Sequence, residues 1–298
     1  MIHGWIKINL VLQSYARREV RGLAGYPCGS PIVKGQRKQG IRVHRPSGYI
    51  QSNERVTFSI KYEDNDLLVV EKPTRVVSQP GVGHEHDTLL NGLFVNYGKQ
   101  LQQLGQARDF GLVHRLDRET SGVMLVALTA QAYDGLRKQF EERKINKYYW
   151  ALCLKAPKDS QGVIKRPILE QLKRKNRYTS IRKASISNAG KPAVTAYRVI
   201  SESNKAALIE ARPVTGRLHQ VRIHMDLIGA AVLGDKLYGP NIVKHASPRL
   251  ALHAHRIMFT HPVKEEQMDV RTKWPKDLRT TLNRLDIPRP DLETPKPE

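Results

Sequence analysis

The stretch Gly111-Leu-Val-His-Arg-Leu-Asp-Arg-Glu-Thr-Ser-Gly122 runs directly into Val123-Met-Leu-Val-Ala-Leu128, and this junction decides how the chain is read. The short apolar run predicts a buried strand, and the Thr-Ser-Gly ahead of it predicts a turn. At the mouth of that strand stands one carboxylate, Asp117, among His114, Arg115 and Arg118. Neighbouring positive charge favours the ionised form of a carboxylate. An anion held in that position is suited to act as a nucleophile or as an electrostatic stabiliser. A surface salt-bridge cluster would explain an isolated Arg-x-Asp equally well. It does not explain the whole string from His114 to Gly122.

Working outward, the composition names a class of partner. Lys and Arg total 50 against 28 Asp and Glu in 298 residues, a formal net charge of +22. So much positive charge implies a polyanion, and nucleic acid is the first candidate. An anionic membrane surface is the alternative, weakened by the lack of a long apolar segment or a basic amphipathic helix with bulky apolar residues. Cys28 and Cys153 lie far apart and in no metal-ligand spacing, which predicts reduced thiols and a cytoplasmic location. The run Ile8-Asn-Leu-Val-Leu12 is too brief for a signal peptide.

Residues 1–57 carry ten Lys or Arg against Glu19 and Glu54, and read as a basic N-terminal segment. Gly40 to Gly48 with Glu54 to Phe58 predicts a short hairpin there, a flexible basic arm being the other reading. Residues 58–285 read as one catalytic domain, and residues 286–298 as a disordered Pro-rich tail. Within the domain, Tyr62-Glu-Asp-Asn-Asp66 is a turn and Leu67-Leu-Val-Val70 a buried strand ending at Glu71-Lys-Pro73. Thr129 caps a helix carrying Tyr133, Leu136 and Phe140 at helical spacing. Lys147-Tyr-Tyr-Trp-Ala-Leu-Cys153, Ala193 to Ile200 and Ala206 to Ala211 read as strands. Residues 155–191 read as a basic, weakly apolar connection. Strands with few helices between them predict an α+β fold with a mostly antiparallel sheet.

Leu218, Val221, Met225 and Ile228 recur at helical intervals, and Gly229 closes the pattern. Arg222 borders the buried face of that helix, where a guanidinium is costly without an anion. Asp117 is the candidate partner; a surface arginine with a buried stem is the plainer reading. Arg217, in the turn before the helix, is the second candidate or a phosphate contact. The pairs His84 and His86, His219 and His224, and His253 and His255 lack the Cys partners or helical spacing of a metal site, so no metal is expected. No phosphate-binding glycine loop is present in the sequence, and no cofactor is expected.

Five motifs occur in one order: Glu71-Lys-Pro73, His114 to Gly122, Lys147-Tyr-Tyr149, Thr215 to His224 running on to Gly234-Asp-Lys-Leu-Tyr-Gly239, and Leu252-His-Ala254 with Phe259-Thr-His-Pro262. Together they resemble the RluA family of RNA pseudouridine synthases over roughly residues 60–285. The segment from Gly81 to Asp109 matches none of the motifs. The resemblance implies the pseudouridine synthase fold, a mixed, mostly antiparallel sheet flanked by helices with a central active-site cleft. It further implies catalytic roles for Asp117 as nucleophile, Tyr149 stacking on the flipped uracil, and Arg222 holding Asp117 ionised. Substrate contacts are expected from His114, Arg115, Thr120, Arg217 and Leu252. Many relatives carry a small RNA-binding module at the position of residues 1–57. The expected activity is isomerisation of uridine in ribosomal RNA, or transfer RNA, by a monomer without cofactor. A catalytically silent RNA-binding protein on the same fold is the alternative. A glycoside or nucleoside hydrolase would need a second marked carboxylate, for which Asp235 is the contender.

Overall fold

The computed structural model describes residues 49–174 and 180–290. Eleven strands are found among them: β1 (Ser59–Glu63), β2 (Leu67–Lys72), β3 (Ser121–Ala127), β4 (Asn146–Cys153), β5 (Gln161–Lys165), β6 (Ile168–Arg174), β7 (Ser180–Ile186), β8 (Val194–Glu202), β9 (Ala207–Pro213), β10 (Leu252–Thr260) and β11 (Gln267–Arg271). Four α-helices accompany them: α1 (Leu89–Leu104), α2 (Ala130–Glu141), α3 (Gln220–Leu227) and α4 (Arg279–Arg284). The main sheet runs β1-β2-β3-β10-β4-β9-β8-β5, with β11 beside β10, while β6 and β7 form a separate hairpin. Only β3 and β10 pair in parallel, over His253 with Ser121 and Ala254 with Gly122. This is the expected mixed, mostly antiparallel sheet.

The reason β3 sits at the centre is its composition. Every residue from Ser121 to Ala127 is buried, as a strand covered on both faces must be. Gly122 adopts φ +127, and a Cβ there would lie 2.2 Å from the Ala254 carbonyl oxygen. Glycine is therefore what lets β3 and β10 approach. Helix α2 starts where the sequence predicts, with the Thr129 hydroxyl accepting from the Ala132 N–H.

Several expectations are corrected. The motif-free segment contains the longest helix, α1, whose Leu89, Leu93, Tyr97 and Leu101 lie buried along one stripe. Its capping box joins Thr88 to Asn91, and the Asn91 amide also donates to the Gln51 carbonyl at 2.7 Å. The buried Ile50 and the bond from Asn53 N–H to Asn91 carbonyl tie this stretch, expected in the N-terminal segment, to the residues that follow 57. Residues 54–58 form a turn and an extended link rather than a hairpin strand; their proposed partner, residues 40–48, lies outside the described residues. The connection 155–191 is in fact β5 and the β6–β7 hairpin. It reads weakly apolar because a single face is covered: Ile168 and Ala184 meet Ile223 of α3. Helix α3 begins at Gln220, two residues later than its apolar pattern. At the other end, Ile287 is buried in the core, so the chain stays packed beyond the expected start of the tail. Residues 291–298 lie outside the described residues, as does Cys28; Cys153 is a buried free thiol.

Candidate active site

A single cleft collects the ends of β3, β4, β9 and β10 and the start of α3. Its walls include Arg115, Asp117, Thr120, Lys147, Tyr149, Arg217, His219, Arg222 and Leu252. Seven of the eight residues singled out from the sequence are in it. The exception is His114. Its Nε2 accepts the Leu125 N–H at 2.9 Å and its ring lies against Phe140, 5.0 Å between centroids. Burial, with the Lys147 charge nearby, pushes its pKa down to about 3. A neutral imidazole that satisfies a strand amide ties this loop to β3.

The loop carrying Asp117 is fixed from below. The Thr120 N–H donates to the Asp117 carbonyl at 3.1 Å, closing a turn. Ser78 exchanges hydrogen bonds with Leu116, its hydroxyl donating to the Leu116 carbonyl at 2.9 Å. The Thr74 hydroxyl donates to the Glu119 carbonyl at 2.9 Å. Lys72, fully buried, points its ammonium at the carbonyls of Pro73, Val76 and Arg118, at 2.8, 2.7 and 3.3 Å. The Glu71-Lys-Pro73 motif is thereby explained: it holds the end of β2 and the Asp117 loop together.

Arg222 reaches Asp117, with Nη1 3.6 Å from Oδ2. Its tighter partner is Asp235, engaged through Nε and Nη2 at 2.7 Å each. The expected Arg222–Asp117 pair is thus one side of a triad. Burial opposes the charge on Arg222, but the bidentate Asp235 and the Asp117 carboxylate outweigh it and raise its pKa. Asp235 also accepts the N–H groups of Leu237 and Tyr238. A buried carboxylate with four donors is committed to positioning Arg222. It is not the free second acid that a glycosidic hydrolase needs.

The rest of the cleft is less satisfied. Thr120 Oγ1 is buried with no hydrogen-bond partner among the described residues. Arg115 is exposed and has no carboxylate partner among them. Among the described residues Lys147 makes only a cation–π contact, 5.6 Å from the Phe140 ring centre, and burial lowers its pKa to about 8. Burial and the Asp117 charge push the Tyr149 phenol up, so it stays protonated at neutral pH. Arg217 donates to the Pro192 carbonyl at 3.1 Å and borders the cleft without touching Asp117.

Three participants escaped the sequence reading. His219 holds φ +54 just before α3, a left-handed conformation uncommon outside glycine. Its Nε2 is 4.0 Å from Asp117 Oδ2, and its Nδ1 is 2.8 Å from the Tyr238 hydroxyl. The Tyr238 ring in turn lies under Arg222, 5.0 Å from its guanidinium carbon. Lys147 stood in a quoted motif but received no role. Its signal was a lysine within a strand otherwise rich in buried aromatics.

Comparison with known proteins decides the class. A family model described as RNA pseudouridylate synthase matches residues 66–227. The chain belongs to that family. It is therefore an isomerase converting uridine to pseudouridine in RNA, as the motif order implied. Among similar proteins, the ribosomal large subunit pseudouridine synthase D of Zymomonas mobilis is 36% identical over 239 residues, covering 78% of this chain and 74% of the relative. That of Nitrosomonas europaea is 35% identical over 303 residues, covering 99% and 82%. Of solved structures, human RNA pseudouridylate synthase domain containing 4 superposes with a TM-score of 0.59 at 26% identity, covering 78% of this chain and 95% of that one. The shared fold is the pseudouridine synthase fold. No helix among the described residues is long and apolar enough to cross a membrane.

Proposed function

We propose that this synthase modifies specific uridines of large-subunit ribosomal RNA, with Asp117 as the nucleophile. The observation that carries the assignment is the approach of the Asp117 carboxylate to the buried Arg222 guanidinium, 3.6 Å away, in a cleft walled by Tyr149. The bond from ribose to uracil nitrogen breaks and ribose rejoins carbon 5; carbon 5 then loses a proton and the freed nitrogen gains one, so product and substrate are isomers. The Asp117 carboxylate attacks either the anomeric carbon or the uracil ring. Arg222 keeps it charged. Tyr149 offers its ring to the flipped base, which must find a stacking partner outside the helix worth a few kcal/mol. Leu252 walls the pocket, and the unpartnered Thr120 hydroxyl is poised for a polar group of the nucleotide. Arg115 and Arg217 at the rim suit phosphates, which carry affinity but little sequence information.

The choice of ribosomal RNA rests on the relatives named above, whose names specify the large ribosomal subunit. The basic residues 1–48 and the β6–β7 hairpin supply further positive charge for a folded RNA. A silent RNA-binding role would leave the Asp117, Tyr149 and Arg222 set without a purpose. The test is to map pseudouridines in ribosomal RNA from cells with and without the gene, then restore them with the purified enzyme. Loss of defined large-subunit sites on deletion is expected. An unchanged ribosomal map with altered sites in transfer RNA would reassign the substrate.

A further inference from the structure

Two groups at the start of α3 approach the Asp117 carboxylate. Arg222 Nη1 and His219 Nε2 both approach Oδ2, at 3.6 and 4.0 Å. The hydrogen on the His219 ring can be assigned from its other side. The Tyr238 oxygen accepts the Ala184 N–H at 3.3 Å and lies 2.8 Å from His219 Nδ1. A phenol that has accepted one hydrogen bond is best satisfied by donating its own proton, here to Nδ1. The neutral imidazole then carries its hydrogen on Nε2, facing Asp117. The opposite tautomer would turn a lone pair toward a carboxylate, which is repulsive.

We propose that His219 is a positioning residue for Asp117: Tyr238 fixes its tautomer, and its Nε2–H and Arg222 together hold the Asp117 carboxylate. This rests on the reading of Asp117 as nucleophile. The left-handed backbone of His219 has a use on this view. A residue in the ordinary helical conformation at that point would start α3 earlier and aim its side chain elsewhere. The strain is held by the Tyr238 contact and by the turn that precedes α3, where the Arg217 and Thr215 groups converge on the Gln220 amide oxygen. The separations of 3.6 and 4.0 Å shorten when a bound nucleotide excludes water, as catalytic contacts commonly do.

The far end of the chain of bonds is also informative. Ala184 belongs to β7, in the basic hairpin, so a backbone amide of the hairpin completes the arrangement that orients the nucleophile.

The test uses the full-length enzyme and transcribed large-subunit ribosomal RNA. Tyr238→Phe keeps the ring under Arg222 and deletes only the hydroxyl. His219→Asn keeps a residue tolerant of positive φ but withdraws the donor at the Nε2 position, whereas His219→Gln restores an N–H there. Single-turnover rates at saturating RNA should fall on the order of 10- to 100-fold in Tyr238→Phe and His219→Asn, the range for loss of an orienting partner. RNA affinity should be unchanged, and His219→Gln should recover most of the rate. Nitrogen NMR of the His219 ring should show Nε2 protonated and Nδ1 bare in the wild type. That readout does not depend on how well the variants fold. A ring protonated on Nδ1, wild-type rates in both impaired variants, or a Gln variant no better than Asn would overturn the proposal. Asp117→Asn is run beside them. Turnover by that variant would sink the nucleophile assignment itself, a failure visible apart from any result at His219.

Discussion

Two polar clusters in this molecule look alike at first and behave in opposite ways. One is the cleft around Asp117. The other lies within the sheet, where Glu210 of β9 meets His255 of β10 at 3.0 Å and Arg198 of β8 at 2.8 Å. There Trp150 stacks on His255, ring centres 3.8 Å apart, and His253 bonds Ser121 and Thr272. Both clusters hold buried charge and displaced pKa values, which by themselves mark functional sites only in probability. The difference is completeness. The sheet cluster gives each of these side chains a protein partner. Among the described residues, the cleft leaves Thr120 Oγ1 bare, Arg115 without a carboxylate, and Lys147 with only an aromatic face. Unspent valence facing a cleft, rather than burial or pKa, separates a site from a scaffold.

The sharpest way to break this contrast is at its centre. Asp117→Asn should lower turnover by a factor on the order of 10⁴ or more while leaving the melting temperature unmoved or slightly raised. A large drop in melting temperature would show Asp117 to be scaffold as well.

Arg222→Ala crosses the boundary between the two kinds of cluster. It removes the partner of Asp117 and strands the buried Asp235 carboxylate. It should abolish turnover and cost about 3–5 kcal/mol in denaturant unfolding. Loss of activity at full stability would mean that Asp235 repacks or becomes solvated.

Glu210→Gln tests the opposite cluster. Turnover at saturating RNA should hold, with stability reduced by roughly 2–3 kcal/mol at neutral pH. Burial opposes ionisation of Glu210, yet the His255 hydrogen bond and the Arg198 charge hold its pKa at about 2 against an ordinary 4.5. A depressed carboxyl pKa stabilises the fold above 4.5, and that contribution disappears as pH falls toward 2. Melts across this interval should show a steeper acid loss in the wild type than in Glu210→Gln. Parallel curves would place the acid sensitivity elsewhere.

The smallest effect belongs to Arg115. Arg115→Ala should weaken RNA binding modestly and across sequences, reducing the salt slope by about 0.7–0.9. Unchanged binding with slower turnover would move Arg115 from phosphate contact to the reaction itself.

The same contrast explains what could be read from the sequence. Asp117, Tyr149 and Arg222 were reached through the family motifs in which they sit, and the fold brings all three to the cleft. His219 was not reached, because its role depends on a left-handed φ that aims the ring, and no residue pattern announces that. Asp235 was weighed only as a hydrolytic acid. Its pairing with Arg222 spans a loop, beyond the reach of helical or strand periodicity. The β6–β7 hairpin read as a connection because its buried face is supplied by α3 and Tyr238, not by a strand of its own sheet. Helix α1 was missed for want of a motif, although its stripe of Leu89, Leu93, Tyr97 and Leu101 is regular.

The parallel contact at Gly122 has a consequence for how the molecule comes into being. β10 is inserted between β3 and β4, both completed about a hundred residues earlier in synthesis. The middle of the sheet is thus among the last parts made, and such distant pairing pays its loop-closure entropy before any contact rewards it. Leu252, which walls the cleft, arrives with that strand. A chain cut short before it still carries most of the positive charge that attracts RNA, but has no closed pocket in which to work. Catalytic competence therefore waits on Leu252–Thr260.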